Sequence, residues 1–387
     1  MGAYLLPIQT AFITFPIAGF LLLIPFLIWQ YRKHGYIHYF RMFILYSLLL
    51  YCMAAYYLVI LPFPSTFDTC SMQRPGTQHY NLVPFTFVSD FLKETNVIWN
   101  QPATYLAALK ERSFLQAAFN AILLLPLGVY LRYYFRRNFM QTLCIVFLTS
   151  LFFEITQITG FYGMYNCPYR LFDVDDLILN TTSGVIGFWI APLFVYFLPD
   201  MHRLDEKIDL QNKPVRMTRR VLALWLDWLI LGMVSGLLIG QQVQLTSVFH
   251  STSGLDELLN GFFVVFCYFI VIQYFTNGKT FGKWLLHMRV KGKGERITWL
   301  ELLKRYGLLY FGIGGINYLL FAVAVSNENN PIIYLIIAML FFVFNGLFFL
   351  HVLLHMFKRD KRLFYEKISG TYNVITFTKK NSNNNHG

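Results

Sequence analysis

Nine long apolar runs alternate with polar segments along this chain of 387 residues. A membrane-spanning helix needs roughly 20 mostly apolar residues to cross about 30 Å of hydrocarbon. The predicted spans are approximately Phe12 to Trp29, Phe43 to Leu61, Leu115 to Tyr134, Leu143 to Phe161, Leu177 to Leu198, Leu222 to Ile239, Leu259 to Phe275, Leu308 to Val325 and Ile332 to Met356. The pattern predicts an all-α, polytopic integral membrane protein with about nine transmembrane helices in two bundles.

Basic residues predict how these spans are oriented. Lys and Arg are concentrated after spans one, three, five and seven and in the tail, whereas the gaps after spans six and eight contain neither. Because short cytoplasmic loops carry an excess of Lys and Arg, the N-terminus is predicted outside and the C-terminus inside. We attribute the formal net charge of +12 to this orientation, and we expect no nucleic-acid partner.

A long polar break on the predicted inner side divides the chain. We interpret residues 200–219 as a cytoplasmic linker between a membrane domain of five spans at 1–199 and one of four spans at 220–377. Residues 378–387 are predicted to form a disordered polar tail. The two halves show no internal repeat, which argues against an inverted-repeat transporter built from equivalent halves.

Polar residues of the N-terminal domain are predicted to meet at one depth near the outer surface. Span four runs outward, so Glu154 and Gln157 share one helical face near its outer end. Span five begins at that surface, and span three enters from it. The predicted outer cluster consists of Asn120, Glu154, Gln157, Arg170, Asp173, Asp175, Asp176 and Asn180.

Two interpretations of the outer cluster remain open. In the structural one, the aspartates cap span five and complement its dipole, while Glu154 pairs with Arg170. In the functional one, the cluster is a pocket for a headgroup, an ion or a lipid-linked sugar, since a carboxylate within a bilayer normally faces a partner or a wet cavity. We favour the pocket, because capping does not require Glu154, Gln157 or the two asparagines.

These residues occur in the order of known motifs. The sequence contains Asn81-Leu82-Val83-Pro84-Phe85, then Asn120 with Leu125-Pro126-Leu127-Gly128, then Glu154 to Gln157, and finally Arg170, Asp173, Asp175, Asp176, Asn180 and Gly184. Over roughly Phe43 to Leu198 the chain resembles the VanZ-like family. The resemblance implies a bacterial envelope protein associated with tolerance of the glycopeptide antibiotic teicoplanin, and it implies no reaction. We further expect the outer segment from Pro62 to Ser113 to fold back over the pocket.

A second set of charged residues lies in the C-terminal domain. Arg220 is at the inner boundary of span six, and Asp227 is two turns deeper on nearly the same face. The segment Gly278-Lys279-Thr280-Phe281-Gly282-Lys283 follows span seven, and Glu366 comes near the end. From roughly Arg216 to Phe377 the chain resembles the RDD family, although Glu366 stands where that pattern has its second Asp. The predicted inner cluster is Arg220, Asp227, Lys279, Lys283 and Glu366.

Asp227 has three possible partners in this arrangement. A carboxylate two turns into a span must pair with Arg220 or another cation, or bind a cation or proton itself.

The sequence lacks the motifs that zinc binding, thiol redox chemistry and serine hydrolase activity commonly require. It contains no Cys-x-x-Cys, His-Glu-x-x-His or Gly-x-Ser-x-Gly pattern, so we expect no cofactor and assign no metal site. Cys70 and Cys167 both fall in predicted outer gaps, where oxidation permits a disulfide between them.

Three functions remain, which we rank in order. The first is a multi-pass cell-membrane protein that binds or shields a glycopeptide or a lipid-linked cell-wall precursor at the outer leaflet, in contact with membrane lipids. The second is a transporter or translocator of an ion, a lipid or such a precursor. The third is an enzyme that holds a divalent metal with Glu154, Asp173, Asp175 and Asp176, and it ranks last because no nucleophile or base lies beside these acids.

Overall fold

Seven helices of the computed structural model are long and apolar enough to cross a membrane. The structure describes residues 2–98, 100–101, 104–199, 214–240, 261–327, 329–358 and 361–377. The candidate spans within them are Leu5–His34, Tyr39–Ile60, Arg112–Tyr133, Phe139–Ile158, Val174–Phe194, Trp299–Ser326 and Pro331–Phe357. The mostly helical, polytopic membrane fold is therefore confirmed, whereas the count of nine and the orientation stay predictions.

The two other predicted spans also fall on helices. Predicted span six coincides with a helix at Met217–Gly240, which carries Arg219, Arg220 and Asp227. Predicted span seven ends in a shorter apolar helix at Gly261–Phe275. Most of the predicted linker, at 200–213, and the tail at 378–387 lie outside the described residues, so the predicted domain boundaries remain predictions.

The chain forms two compact units. The first comprises residues 1–24 and 38–207, and the second comprises residues 25–37 and 208–387. The helices and strands from the N-terminus to the end of the first unit are α1 Gly2–His34, α2 Tyr39–Ile60, β1 Tyr80–Asn81, α3 Thr86–Glu94, α4 Tyr105–Ala108, α5 Arg112–Leu123, α6 Leu125–Tyr133, α7 Phe139–Ile158, α8 Gly160–Gly163, β2 Phe172–Asp173 and α9 Val174–Phe197.

Glycines bring the helices of the first unit close together. A Cβ added at Gly128 of α6 would collide with the backbone carbonyl of Gly184 on α9. One turn along α9, a Cβ at Gly187 would collide with the carbonyl of Leu125. Residues without side chains let backbones approach in membranes, where van der Waals contact drives helix association. These glycines therefore set the spacing between α6 and α9, and α9 carries much of the outer cluster.

The polar segment between α2 and α5 is attached to the segment before α9. A disulfide joins Cys70 to Cys167, as the sequence permitted. Next to it, the Thr69 hydroxyl donates to the carbonyl of Cys167 and accepts from the same residue's N–H. Further along, β1 and β2 pair as parallel strands, with Asn81 opposite Asp173. The disulfide and the strand pair place the Asn81 segment beside the first residues of α9.

The second unit contains the remaining helices and a small sheet. Its elements after residue 208 are α10 Met217–Gly240, α11 Gly261–Phe275, α12 Phe281–Leu285, β3 Met288–Lys291, α13 Trp299–Ser326, α14 Pro331–Phe357, α15 Phe364–Ser369 and β4 Tyr372–Ile375. β3 and β4 pair as antiparallel strands.

Two helices of the second unit contain π-helical segments, at Phe266–Ile272 in α11 and at Gly307–Gly314 in α13. Aromatic rings pack between them, because Phe269 lies 5.4 Å from Tyr306 and 4.8 Å from Tyr310 between ring centroids. Such segments insert one extra residue per turn and often mark functional sites. The hydrophobic core of this unit includes Tyr268 and Phe269, which contact the buried charges of Asp227 and Lys283.

Candidate functional site

Asp175 is fully occupied in holding the start of α3. Its carboxylate accepts hydrogen bonds from the N–H groups of Phe85 at 2.5 Å and Phe87 at 3.0 Å, and from the Thr86 hydroxyl at 2.7 Å. The first N–H groups of a helix have no partner within the helix, so an acceptor here satisfies them and complements the dipole. Asp175 therefore caps α3 rather than its own helix, and it holds the turn at Phe85 to Phe87 beside the start of α9, whereas the fold-back of the whole outer segment over a pocket stays a prediction.

Asp173 and Glu154 form a second layer behind this cap. Asn81 donates its amide to Asp173 Oδ1 at 3.2 Å, and the backbone N–H of Asp173 donates to Glu154 Oε2 at 3.0 Å. Glu154 is 2% exposed, whereas Asp173 is half-buried. Burial raises the pKa of the Asp173 carboxyl, which lies just outside the spans.

Asp176 meets Asn120, as their predicted depth required. The Asn120 amide donates to Asp176 Oδ1. One turn deeper, Asn180 donates to the Ser150 hydroxyl at 3.3 Å, and its own side-chain oxygen is buried without a hydrogen-bond partner. Six of the eight predicted residues thus form two hydrogen-bonded groups around the start of α9: Glu154, Asp173 and Asp175 with Asn81, and Asn120, Asp176 and Asn180 with Ser150.

The other two predicted residues, Gln157 and Arg170, donate hydrogen bonds to carbonyls at the end of α2. Gln157 donates to the carbonyl of Val59 at 2.9 Å, and Arg170 donates to the carbonyl of Leu61 at 2.7 Å. These carbonyls lie at the C-terminus of a helix, where they have no partner within the helix. Gln157 and Arg170 therefore have a structural role here, and Glu154 receives its hydrogen bond from the Asp173 backbone.

The charges of the outer cluster do not balance. It holds four carboxylates, of which Glu154 and Asp175 are buried while Asp173 and Asp176 keep part of their surface exposed. Arg170 is the cation among the predicted residues. Within the described ranges, no three acidic, His or Cys side chains come together in a group that could hold a metal ion. The outer cluster is thus richer in carboxyl groups than in cations.

In the second unit, Glu366 lies between two arginines. Its carboxylate pairs with Arg220 through Oε2 and with Arg305 through Oε1, both at 2.8 Å. Asn373 and the backbone N–H of Leu363 supply two more hydrogen bonds, at 2.7 and 3.0 Å. Glu366 is 0% exposed. A carboxylate removed from water in this way needs such partners, since an unpaired buried charge is strongly destabilising.

Asp227 has separate partners. It accepts hydrogen bonds from Tyr268 at 2.8 Å, Thr280 at 2.6 Å and the N–H of Gly282 at 2.7 Å, and Lys283 lies 3.7 Å away. Of the predicted alternatives, pairing with another cation is the one observed. Arg220 and Asp227, which share a helix face, therefore serve two different charge groups.

Two glycines let the segment from Gly278 to Lys283 reach Asp227. Gly278 has φ +87°, a left-handed conformation that favours glycine. At Gly282 an added Cβ would meet the carbonyl of Ala223, so α12 approaches α10 closely enough for its backbone to reach Asp227. Lys283 is buried beside Asp227, whereas Lys279 contributes its carbonyl, which accepts from Thr276 at 2.5 Å.

Sequence reasoning missed three contributors. Asn81 stood in a recognised motif, but its pairing with Asp173 depends on a strand contact across 92 positions. Arg305 is buried and pairs with Glu366, and the apolar residues that follow it in the sequence are the signal that could have found it. Arg219 is buried and donates to the carbonyls of Gly35, Leu286 and His287, although the predicted inner cluster contains only its neighbour Arg220.

Comparison with known proteins agrees with this division of residues. A family model described as VanZ/LLP1 matches residues 43–195, and a model described as RDD family matches residues 214–370. Searches of curated proteins and of solved structures found no match to this chain. Residues 43–195 are therefore a VanZ-like region and residues 214–370 an RDD-family region, fused in one chain as the sequence motifs indicated.

Proposed function

We propose that this protein is a bacterial cell-envelope protein that binds a ligand at the outer surface of the membrane and thereby contributes to tolerance of teicoplanin-type glycopeptides. The observation that carries the proposal is the half-buried pair Asp173 and Asp176. Both keep exposed surface, and the backbone N–H of Asp173 donates to the buried carboxylate of Glu154. Capping uses Asp175, so the exposed surfaces of Asp173 and Asp176 are the ones through which a ligand can be recognised.

The acidic side chains of the outer cluster favour a ligand that carries a positive charge. Buried or half-buried carboxylates attract a cationic group strongly, because water screens the interaction little at such sites. An anionic lipid-linked precursor would meet the exposed parts of two acidic residues, Asp173 and Asp176, there. Shielding by direct binding of the antibiotic is therefore better supported than capture of the precursor.

Variants of the cluster test this function. Glu154→Gln and Asp176→Asn remove charge with little change of shape, so ligand affinity should fall about tenfold or more. In a deletion strain complemented with each variant, tolerance of teicoplanin should be lost at normal membrane abundance of the protein. Glu94→Gln, at an exposed position at the end of α3, is the matched control and should retain tolerance. Retained tolerance in both cluster variants would refute the proposal.

The orientation of the first unit is a separate prediction. The disulfide between Cys70 and Cys167 supports an outer location for the cluster, because disulfides persist in oxidising compartments. A tag inserted at 65–75 should be accessible from outside the cell and a tag at 205–212 only after permeabilisation. Both tags on one side of the membrane would contradict the arrangement.

The alternative functions have less support. Transport rests on Asp227 as a site for a moving ion, yet this carboxylate already has three hydrogen bonds and a lysine. The enzyme hypothesis requires a metal held by the outer acids, and the described residues form no such group. Neither alternative is favoured by a specific observation.

A further inference from the structure

A groove at the start of α7 combines one positive charge with an apolar surface. It has a volume of about 460 Å³ and is lined by Arg137, Asn138, Met140, Gln141, Cys144 and Ile145. Known ligand sites have volumes of about 300–1,000 Å³. Met140 and Cys144 are four residues apart and lie on one face of α7, and Arg137 comes just before the N-cap residue Asn138.

Two of the polar side chains in this groove are already hydrogen-bonded within the protein, and one is accessible to a ligand. Asn138 and Gln141 form a capping box, in which the Gln141 N–H donates to Asn138 Oδ1 at 2.8 Å and the Asn138 N–H donates to Gln141 Oε1 at 3.4 Å. The helix start is thereby satisfied within the protein. In the ranges that the structure describes, no carboxylate pairs with Arg137, which is exposed. Its guanidinium is the group available to a ligand.

The remainder of the groove continues into the lipid-facing surface of the span. Cys144 is exposed, and beyond it Leu148 and Phe152 are also exposed, at 59% and 45%. Near the same helix start, the ring of Phe139 stacks on Trp189 with centroids 6.1 Å apart. Tryptophan is enriched where membrane meets water. An anionic headgroup at Arg137 and an acyl chain along Met140 and Cys144 would match this arrangement.

We propose that this groove is a binding site for an anionic phospholipid. The guanidinium forms paired hydrogen bonds with phosphate oxygens, a geometry for which arginine is suited. Anionic lipids are attracted to basic residues on the cytoplasmic side, and Arg137 belongs to one of the loops predicted to lie there. A second groove of about 380 Å³, between α1 and α2, shows the contrast, because Phe15, Pro16, Phe20, Met42 and its other lining residues carry no charge.

The test uses the purified full-length protein in a neutral detergent, with lipid binding measured by native mass spectrometry. Dioleoylphosphatidylglycerol should bind at least about fivefold more tightly than dioleoylphosphatidylcholine, as expected for one surface arginine. Arg137→Gln should remove that preference. Arg112→Gln, which removes one exposed charge at the start of α5, is the control and should keep it.

Two further arms separate the possible results. Inorganic phosphate should not compete with the lipid, because the acyl chain supplies part of the affinity; competition would indicate a simple anion site and overturn the proposal. Cys144→Trp fills the groove without altering its charge and should weaken phosphatidylglycerol binding. Equal binding of both lipids to the native protein, or an unchanged preference in Arg137→Gln with a native melting temperature, would also overturn it.

Discussion

Replacing Glu366 by Gln is expected to lower the free energy of unfolding by about 3–5 kcal/mol, the cost of leaving one side of a buried ion pair unpaired. Glu366 is 0% exposed and neutralises both Arg220 and Arg305 at 2.8 Å. An amide supplies one oxygen acceptor and turns two donors towards the guanidiniums. The change should appear as a lower melting temperature of the purified protein and as reduced membrane abundance.

Acid provides a second readout of the same interaction. Burial alone would raise the pKa of Glu366, but Arg305 and Arg220 outweigh it and hold that pKa below its ordinary value. The unfolded chain therefore takes up the proton first, at about pH 4.3. The stabilisation is complete above that pH and is lost as the pH falls through the lower folded-state pKa. Glu366→Gln should remove this part of the acid dependence.

The matched control is Glu295→Gln, which removes the same charge at an exposed position. Exposed side chains away from a network usually change stability by less than about 0.5 kcal/mol. If Glu366→Gln and Glu295→Gln melt at the same temperature, the two-arginine interaction does not stabilise the second unit, and the proposed role of Glu366 is wrong.

Gly128→Ala is expected to destabilise the first unit by about 1–3 kcal/mol, the usual cost of inserting a methyl group into a closely packed contact. The added carbon would collide with the carbonyl of Gly184, and its next contact is the backbone nitrogen of Phe188. Backbone atoms cannot rotate away as a flexible side chain does, so α6 and α9 must separate. Because α9 carries Asp175, Asp176 and Asn180 near its start, the outer cluster should loosen as well.

Gly346→Ala on α14 is the internal comparison. Nothing lies within 4 Å of a Cβ added there, and alanine favours a helix over glycine by about 1 kcal/mol. Thermal unfolding should therefore move in opposite directions for the two variants. A rise in melting temperature for Gly128→Ala would mean that α6 and α9 are free to separate without cost.

The depth of residues in the membrane could be read from the sequence. Apolar runs and loop charges report position along the bilayer normal, and they predicted that Asn120, Glu154 and Asp176 lie at one depth. That Asn120 donates to Asp176 and that the Asp173 backbone donates to Glu154 became visible only in the structure. The same information predicts which half of the chain each cluster belongs to.

Which side chains of neighbouring helices contact each other could not be predicted from the sequence in this way. Arg220 and Asp227 share a helix face, but the angle at which α12 and α15 approach decides that Asp227 faces Lys283 while Arg220 faces Glu366. The role of Asp175 depended on the path of the polar segment between α2 and α5, which has no apolar periodicity to follow. Whether Cys70 and Cys167 pair depended on that path too, so the sequence permitted the disulfide without requiring it.

The cap on α3 has a consequence for how the protein is made. Asp175 lies 90 positions after Phe85, whose N–H it accepts. During synthesis the segment that becomes α3 leaves the ribosome well before its acceptor on α9, and Cys70 leaves it 97 positions before Cys167. The start of α3 therefore remains uncapped until the chain has been made as far as the fifth candidate span. Capping of α3 by Asp175 is thus a late step in the assembly of the first unit, and it can occur only after the preceding helices have been made.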